Sequence, residues 1–291
     1  FGRTPPCTEA IINSGIKRIF IGMVDSNPAH RGRGVALLRK HKIRVRCGVL
    51  AETIRSTNQA FIKYITKQEP YIAVKVAQSI DGKIATKSGD SKWITSQAAR
   101  RHAHRLRNQY DAIMVGMRTV LADNPILNPL GVHTGKKFYK IIVDTSLAIK
   151  TTLRIFKDSV RFPVIIATSK DSIVRHTKKI ASLIQKGASV IGVETKGYRL
   201  DLHDLMRKLA ELEITNIVVE GGGRLIGSLF DEQLIDYAFF FIRPGIIGGS
   251  DSIASIQGKG LSRVAAIRAL SGIRLKQMGG DLLIEGALHR Y

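Results

Sequence analysis

From Tyr71 onward the chain alternates short apolar runs with helix-compatible segments, and this alternation constrains the fold more than any other feature. The runs fall at residues 71–79 (YIAVKVAQS), 112–116 (AIMVG), 140–144 (KIIVD), 164–168 (VIIAT), 188–193 (ASVIGV) and 216–220 (NIVVE). Runs this short and this continuously apolar suit strands buried on both faces. Strands that alternate with helices build a parallel sheet. Helices are expected over 97–107, which is strongly basic, and over 201–212, which opens on an aspartate able to cap it. Asp81-Gly82 marks a turn. Strands after Asp236 and a final pair about Gly279-Gly280 are expected to form an antiparallel edge. The reading is an α/β domain with a mixed, largely parallel sheet over residues 69–291.

Residues 1–68 read as part of a separate α/β domain. A buried-type strand is expected over 16–24 (IKRIFIGMV), a short helix over 34–41, and a strand over 43–47. An amphipathic helix is expected over 52–65, with Ile54, Phe61, Ile62 and Ile65 near helical spacing. Pro70 closes that region. The chain opens on Phe1 and a loop-like GRTPPC stretch, so an upstream portion is expected to be missing.

Composition narrows the function classes. Hydrophobic residues are 44% of the 291, enough for a sizeable core, which excludes a mostly disordered chain. No apolar run reaches the ~20 residues of a membrane-spanning helix, so no membrane partner is expected. Two cysteines, Cys7 and Cys47, cannot form a disulfide framework, which favours a cytoplasmic setting. Lys and Arg number 46 against 23 Asp and Glu, a formal charge of +23 that invites a nucleic-acid reading. The charges are scattered, however, and aromatics are 6%, leaving little for base stacking. Weak, non-specific polyanion binding is expected, and no specific nucleic acid.

Three stretches could carry chemistry. In NIVVEGGGRLIG, residues 216–227, a strand ends in an acid, then three glycines, then a helix. Unpaired N–H groups at a helix start attract anions, and glycine lets a phosphate come close. The G-x-G-x-x-G spacing is lacking, and a plain tight turn is the alternative. Lys75 lies inside an apolar strand, where burial is costly unless the charge is used; an outward-facing position is the alternative. Trp93, the single Trp, sits among polar residues, and ordinary core is its alternative. In RTVLADNPIL, Asp123 could act at a site or simply cap a turn, and Arg105 and Arg107 could hold a phosphate bidentately. Cys7 has the setting of a zinc ligand, yet Cys47 is distant and no local four-ligand site can be built.

Taken in order, GRTPPC, IDGKIA with SGDSKWIT, TVLADNPIL and VVEGGGRLIG resemble the bifunctional riboflavin-biosynthesis deaminase–reductase family, RibD, over nearly the whole chain. The resemblance implies that residues 1–68 are the last part of a cytidine-deaminase-like α/β domain. It implies that residues 69–291 are a dihydrofolate-reductase-like, NADPH-dependent reductase. That reductase would open the ribose of 5-amino-6-(5-phosphoribosylamino)uracil to give the ribitylamino product. Carried over by residue, Ala77, Trp93, Thr119, Asp123 and Thr145 match NADP contacts. Gly222, Gly223, Arg224, Leu225, Ile226, Gly227 and Ser228 match the phosphate-proximal turn and helix start. Ser91, Arg107, Leu127 and Glu220 match substrate positions, and Lys75 lies in the matching strand near the substrate ribose. Lys75, Asp123 and Glu220 are the expected positioning and proton-handling residues. Cys7 matches the last zinc ligand of the deaminase, whose other ligands would lie upstream of Phe1. Zinc is therefore expected to be absent or weakly held, and deamination is not expected. One departure stands out: the family carries a phosphate-binding Arg where this chain has Leu130. Arg107 would then carry most of the charge pairing to the substrate phosphate, with Lys136 or Lys137 as substitutes. A homo-oligomer is expected. The competing reading is a non-catalytic nucleotide-binding or interface remnant of a decaying gene.

Overall fold

The computed structural model describes residues 6–131 and 137–291. The backbone falls into two compact units, one ending at Glu69 and joined by Arg290–Tyr291, the other Pro70–His289.

The first unit contains α1 (Cys7–Asn13), β1 (Arg18–Ile21), α2 (Arg33–Lys40), β2 (Arg44–Cys47), α3 (Ala51–Thr57) and α4 (Gln59–Lys67). β1 and β2 pair in parallel from Arg18 opposite Arg44 to Ile21 opposite Cys47. The strand expected over 16–24 is shorter because its partner stops: Gly48, at φ +85°, turns the chain away from the ladder. The helix expected over 52–65 is two helices. Ser56 Oγ, Thr57 Oγ1 and Asn58 Nδ2 bond back to the carbonyls of Thr53, Ile54 and Ile54 at 2.8, 2.9 and 2.7 Å. Such side chains compete with the helix ladder, and Asn58 leaves it at φ −110°, ψ 14°. Gln59 ties down Tyr291, accepting its N–H at 2.7 Å.

The second unit runs β3 (Tyr71–Ser79), β4 (Lys83–Ala85), α5 (Gln97–Leu106), β5 (Ala112–Gly116), α6 (Met117–Asp123), β6 (Tyr139–Val143), β7 (Val164–Ser169), α7 (Lys170–Arg175), α8 (Thr177–Gln185) and β8 (Ala188–Val193). It continues through β9 (Thr195–Lys196), β10 (Arg199–Leu200), α9 (Leu202–Glu211), β11 (Asn216–Glu220), α10 (Gly223–Asp231), β12 (Tyr237–Arg243), β13 (Ile253–Ala254), β14 (Ser271–Met278) and β15 (Asp281–Ala287). The main sheet has the order β14-β15-β12-β3-β11-β5-β6-β7-β8. Pairings from β12 through β8 are parallel, and β15 and β14 add an antiparallel edge. The sheet is thus mixed and mostly parallel, as the sequence pattern implies. β12, grouped with the antiparallel strands by sequence, pairs in parallel with β3 and antiparallel only with β15. The β9–β10 hairpin and the β4–β13 pair have too few residues to leave a periodic signal.

The apolar runs are continuous because both sheet faces are covered. Ile113, Val115 and Ile142 join Phe138 and Leu183 in one core, while Met114, Ile141 and Val219 pack with Leu205, Leu209 and Ile226 in the other. Asp201 caps α9 by accepting from His203 N at 2.9 Å, and Ser96 caps α5. Because β3, β11, β5 and β6 run in parallel, their carboxyl ends share one edge of the sheet, where open α/β sheets place their ligands.

Candidate active site

A cleft opens along that edge, and the loops leaving β3, β11, β5 and β6 line it. β11 ends at Glu220, and Gly221 and Gly222 follow at φ +66° and +71°. This left-handed pair reverses the strand into α10 with no side-chain cap at the helix start. A Cβ on Gly222 would lie 2.9 Å from Thr119 Oγ1. Thr119 lies in the first turn of α6, which follows β5 directly, so two strand-to-helix junctions meet here. The cradle has uncapped helix N–H groups, a hydroxyl beside them and no Cβ in the way, which suits a phosphate. Gly223, Arg224, Leu225, Ile226 and Ser228 also line the cleft. Leu225 and Ile226 are largely core residues. Gly227 is turned away: a Cβ there would sit 0.9 Å from the Gln257 carbonyl, so this glycine serves the packing of α10 on the 254–258 segment.

Next to the turn lies a charged cluster. Lys75 and Glu220 are directly opposite on the paired strands β3 and β11. Arg107, 6% exposed at the end of α5, meets Glu220 in a two-pronged pair. Its Nε donates to Oε1 at 2.7 Å and its Nη2 to Oε2 at 3.0 Å. Its Nη1 donates to the Asn128 carbonyl at 3.1 Å. Burial alone would raise the Glu220 pKa, but Arg107, Lys75 and His104 take it down to about 2. Burial lowers the Lys75 pKa; Glu220 opposes that shift and Arg107 adds to it. The Lys75 ammonium also lies 5.8 Å from the Phe241 ring centroid. His104, one turn before Arg107, is shifted down by burial and then by the Arg107 charge. The cluster therefore holds a permanent carboxylate, a lysine whose proton is loosened by desolvation, and a largely neutral imidazole.

The remaining expected residues fall around this centre. Ala77, Ser91, Asp123, Leu127 and Thr145 all line the cleft. Trp93 does too, and at 70% exposure it is not core; the Arg100 guanidinium stacks 4.3 Å from its ring centroid. Asp123 pairs with Lys92 at 3.3 Å. Leu127 is buried in the core at φ +62°. Leu130 is half exposed at the rim, and its carbonyl accepts from Asn108. Arg107, matched by resemblance to a substrate position, also lines the cleft; three of its five N–H donors go to Glu220 and the Asn128 carbonyl, which leaves one N–H on each of Nη1 and Nη2. Lys137 is exposed and lies off the cleft lining, and Lys136 is outside the described residues. Sequence reasoning missed His104, Arg100, Lys92 and Asn128. Only the spacing of His104 three residues before Arg107 could have signalled the first.

The Cys7 thiol is exposed, Cys47 lies in β2, and no group of three His, Cys, Asp or Glu gathers among the described residues. Cys7 and Cys47 alone among the described residues do not supply the four ligands of a zinc site. No helix among the described residues is long and apolar enough to cross a membrane.

Residues 70–284 match the profile of the family described as the RibD C-terminal domain. A riboflavin biosynthesis protein RibD from Aquifex aeolicus is 39% identical over 284 residues, spanning 98% of this chain and 76% of that protein. Acinetobacter baumannii RibD superposes with a TM-score of 0.81 at 25% identity, covering 99% of this chain and 77% of that one. A diaminohydroxyphosphoribosylaminopyrimidine deaminase/5-amino-6-(5-phosphoribosylamino)uracil reductase from Thermotoga maritima gives a TM-score of 0.77 at 31% identity, covering 99% and 76%.

Proposed function

The chain belongs to the RibD family, and from that premise we propose that it is the riboflavin-pathway reductase of 5-amino-6-(5-phosphoribosylamino)uracil, using NADPH. The observation that carries the reading is the Lys75–Glu220–Arg107 cluster set directly beside the Gly221-Gly222 turn in one cleft. The turn and the start of α10 would hold the cofactor's phosphates, with Thr119 alongside. Ala77, Trp93, Asp123 and Thr145 would line the rest of its path. NADPH, when bound, supplies the hydride.

The chain's own residues do the rest. Reduction of the ring-opened imine adds one hydride and one proton. Glu220 stays ionised down to pH of about 2, so it is a fixed negative charge and not the proton donor. Lys75, its pKa lowered by burial, can release a proton to the substrate and regain it from water. Glu220 stabilises positive charge on Lys75 and on the imine nitrogen, and Arg107 holds Glu220 in place. Ser91 and Leu127 would bound the substrate, with Asp123 fixing the Lys92 side of the cleft. Residues up to Glu69 would be the last part of the family's deaminase domain.

We place the protein in the cytoplasm, on its two free cysteines, and as a homo-oligomer, on the exposed edge strand β14 with Ile273 and Leu275 uncovered. The deciding measurement is NADPH oxidation with the phosphoribosylamino-pyrimidine. The parent should turn over and Lys75→Met should lose at least about 100-fold in kcat, the low end for a general acid. An Lys75→Met rate within a few-fold of the parent would remove Lys75 from the chemistry.

A further inference from the structure

Asn128 lies in the loop after α6, and its amide is gripped on both sides. Nδ2 donates to Asp158 Oδ2 at 2.7 Å, and Oδ1 accepts from Lys140 Nζ at 3.3 Å. Lys140 is fully buried in β6, and its ammonium also donates to the carbonyls of Ile155 at 2.7 Å and Lys157 at 2.9 Å. An ammonium has three donors, and here each has an oxygen. The amide is thus held between a buried cation and an anion on the 154–158 turn. A carboxamide is the group that gives one donor and one acceptor at this reach; a carboxylate would face Asp158 with like charge. The backbone carbonyl of this same residue takes the third nitrogen of Arg107 at 3.1 Å.

We infer that Asn128 is a positioning residue: by bridging Lys140 and Asp158, its side chain fixes the carbonyl that anchors Arg107 Nη1, and so sets the orientation of the Arg107–Glu220 pair beside Lys75. Without the bridge the loop carbonyl drifts, Arg107 gains a second orientation, and Glu220 no longer faces Lys75 in a single geometry. The cofactor's phosphate cradle shares none of these bonds, so NADPH binding is unaffected.

The kinetic arm of the test rests on the reductase reading; the spectroscopic arm does not. Asn128→Asp and the swap Asn128→Asp with Asp158→Asn are compared in the full chain. Asn128→Asp keeps an acceptor for Lys140 but repels Asp158. It should lower kcat about tenfold while the NADPH Kd stays within about twofold. It should also speed hydrogen exchange at the Arg107 Nε–H, followed by nitrogen-15 NMR. The swap restores a donor–acceptor pair with reversed polarity and should return both readouts toward the parent. Parent-like kcat and Arg107 exchange in Asn128→Asp, or no recovery in the swap, would overturn the inference. If the parent itself fails to oxidise NADPH with substrate, the reductase reading falls and the Arg107 signal alone decides. Its loss in Asn128→Asp with recovery in the swap supports the positioning role, and its persistence sinks it.

Discussion

At the scale of single residues, the site turns on how two buried charges share one environment. Glu220 and Arg107 are 113 positions apart in sequence and meet at 2.7 Å. Their pairing was not legible in the sequence, because nothing local to either residue announces the other. Lys75 was legible, since a cation inside an apolar strand is costly without a partner. The partner, Glu220, was named for the site but not for this contact. The pair makes a pH prediction. The folded Glu220 pKa is about 2 against an ordinary 4.5. A depressed carboxylate contributes stability that is present in full above the unfolded value and lost as pH falls through the folded one. Glu220→Gln removes that contribution and leaves Arg107 buried without a counter-ion, a loss of roughly 3–5 kcal/mol at neutral pH. The gap in Tm between parent and variant should therefore narrow as pH falls from 5 toward 2. Calorimetry across that range tests it, and a gap that stays constant with pH would mean Glu220 is not ionised in the folded chain.

At the scale of elements, strands and helices were legible where a single periodicity ran long enough to dominate. The strands of the parallel sheet were, because both faces are buried and the runs are apolar throughout. The break at Asn58 was not, since the amphipathic spacing continues across it and only the backward bonds of Ser56, Thr57 and Asn58 end α3. The glycine turn was legible as a unit, but its members do different jobs. Gly222 needs its φ of +71° and its closeness to Thr119, whereas Gly227 needs room for Gln257. Sequence reasoning assigned both to the cofactor. The left-handed backbone at Gly222 means that a Cβ there costs stability as well as space in the cradle. Gly222→Ala should lose about 1–2 kcal/mol of stability and also weaken NADPH binding, because the new methyl occupies the cradle. Gly227→Ala should be the more destabilising, because backbone must move. Any fraction that folds should bind NADPH as the parent does. Titration of both proteins at low temperature separates the roles, and equal affinity in Gly222→Ala and the parent would take the turn out of the cofactor path.

At the scale of the whole molecule, the sheet, its clefts and every residue proposed for cofactor or substrate belong to the unit Pro70–His289, and none to the unit that ends at Glu69. The two also differ in what holds them together. The larger unit has two continuous cores on either side of a nine-stranded sheet. The smaller has a two-stranded sheet and, among the described residues, Leu38, Ile43 and Ile62 as its buried apolar side chains, with Phe20, Leu50 and Phe61 exposed. Isolated two-stranded sheets contribute little independent stability. A ligand that binds only the folded form of one unit stabilises that unit by RT ln(1 + [L]/Kd). NADPH at a hundredfold its Kd contributes about 2.7 kcal/mol, which for a unit of this size raises Tm by roughly 5–10 °C. Heating should therefore give two transitions, the lower one from the smaller unit. NADPH should move the upper transition alone, by that amount, while the lower stays within error of its position without ligand. Zinc should move neither, since no group of three metal-ligating side chains gathers among the described residues. A single transition shifted as a whole by NADPH would show that the units unfold together. A lower transition raised by NADPH would place part of the cofactor site in the residues before Glu69, contrary to the cleft described above.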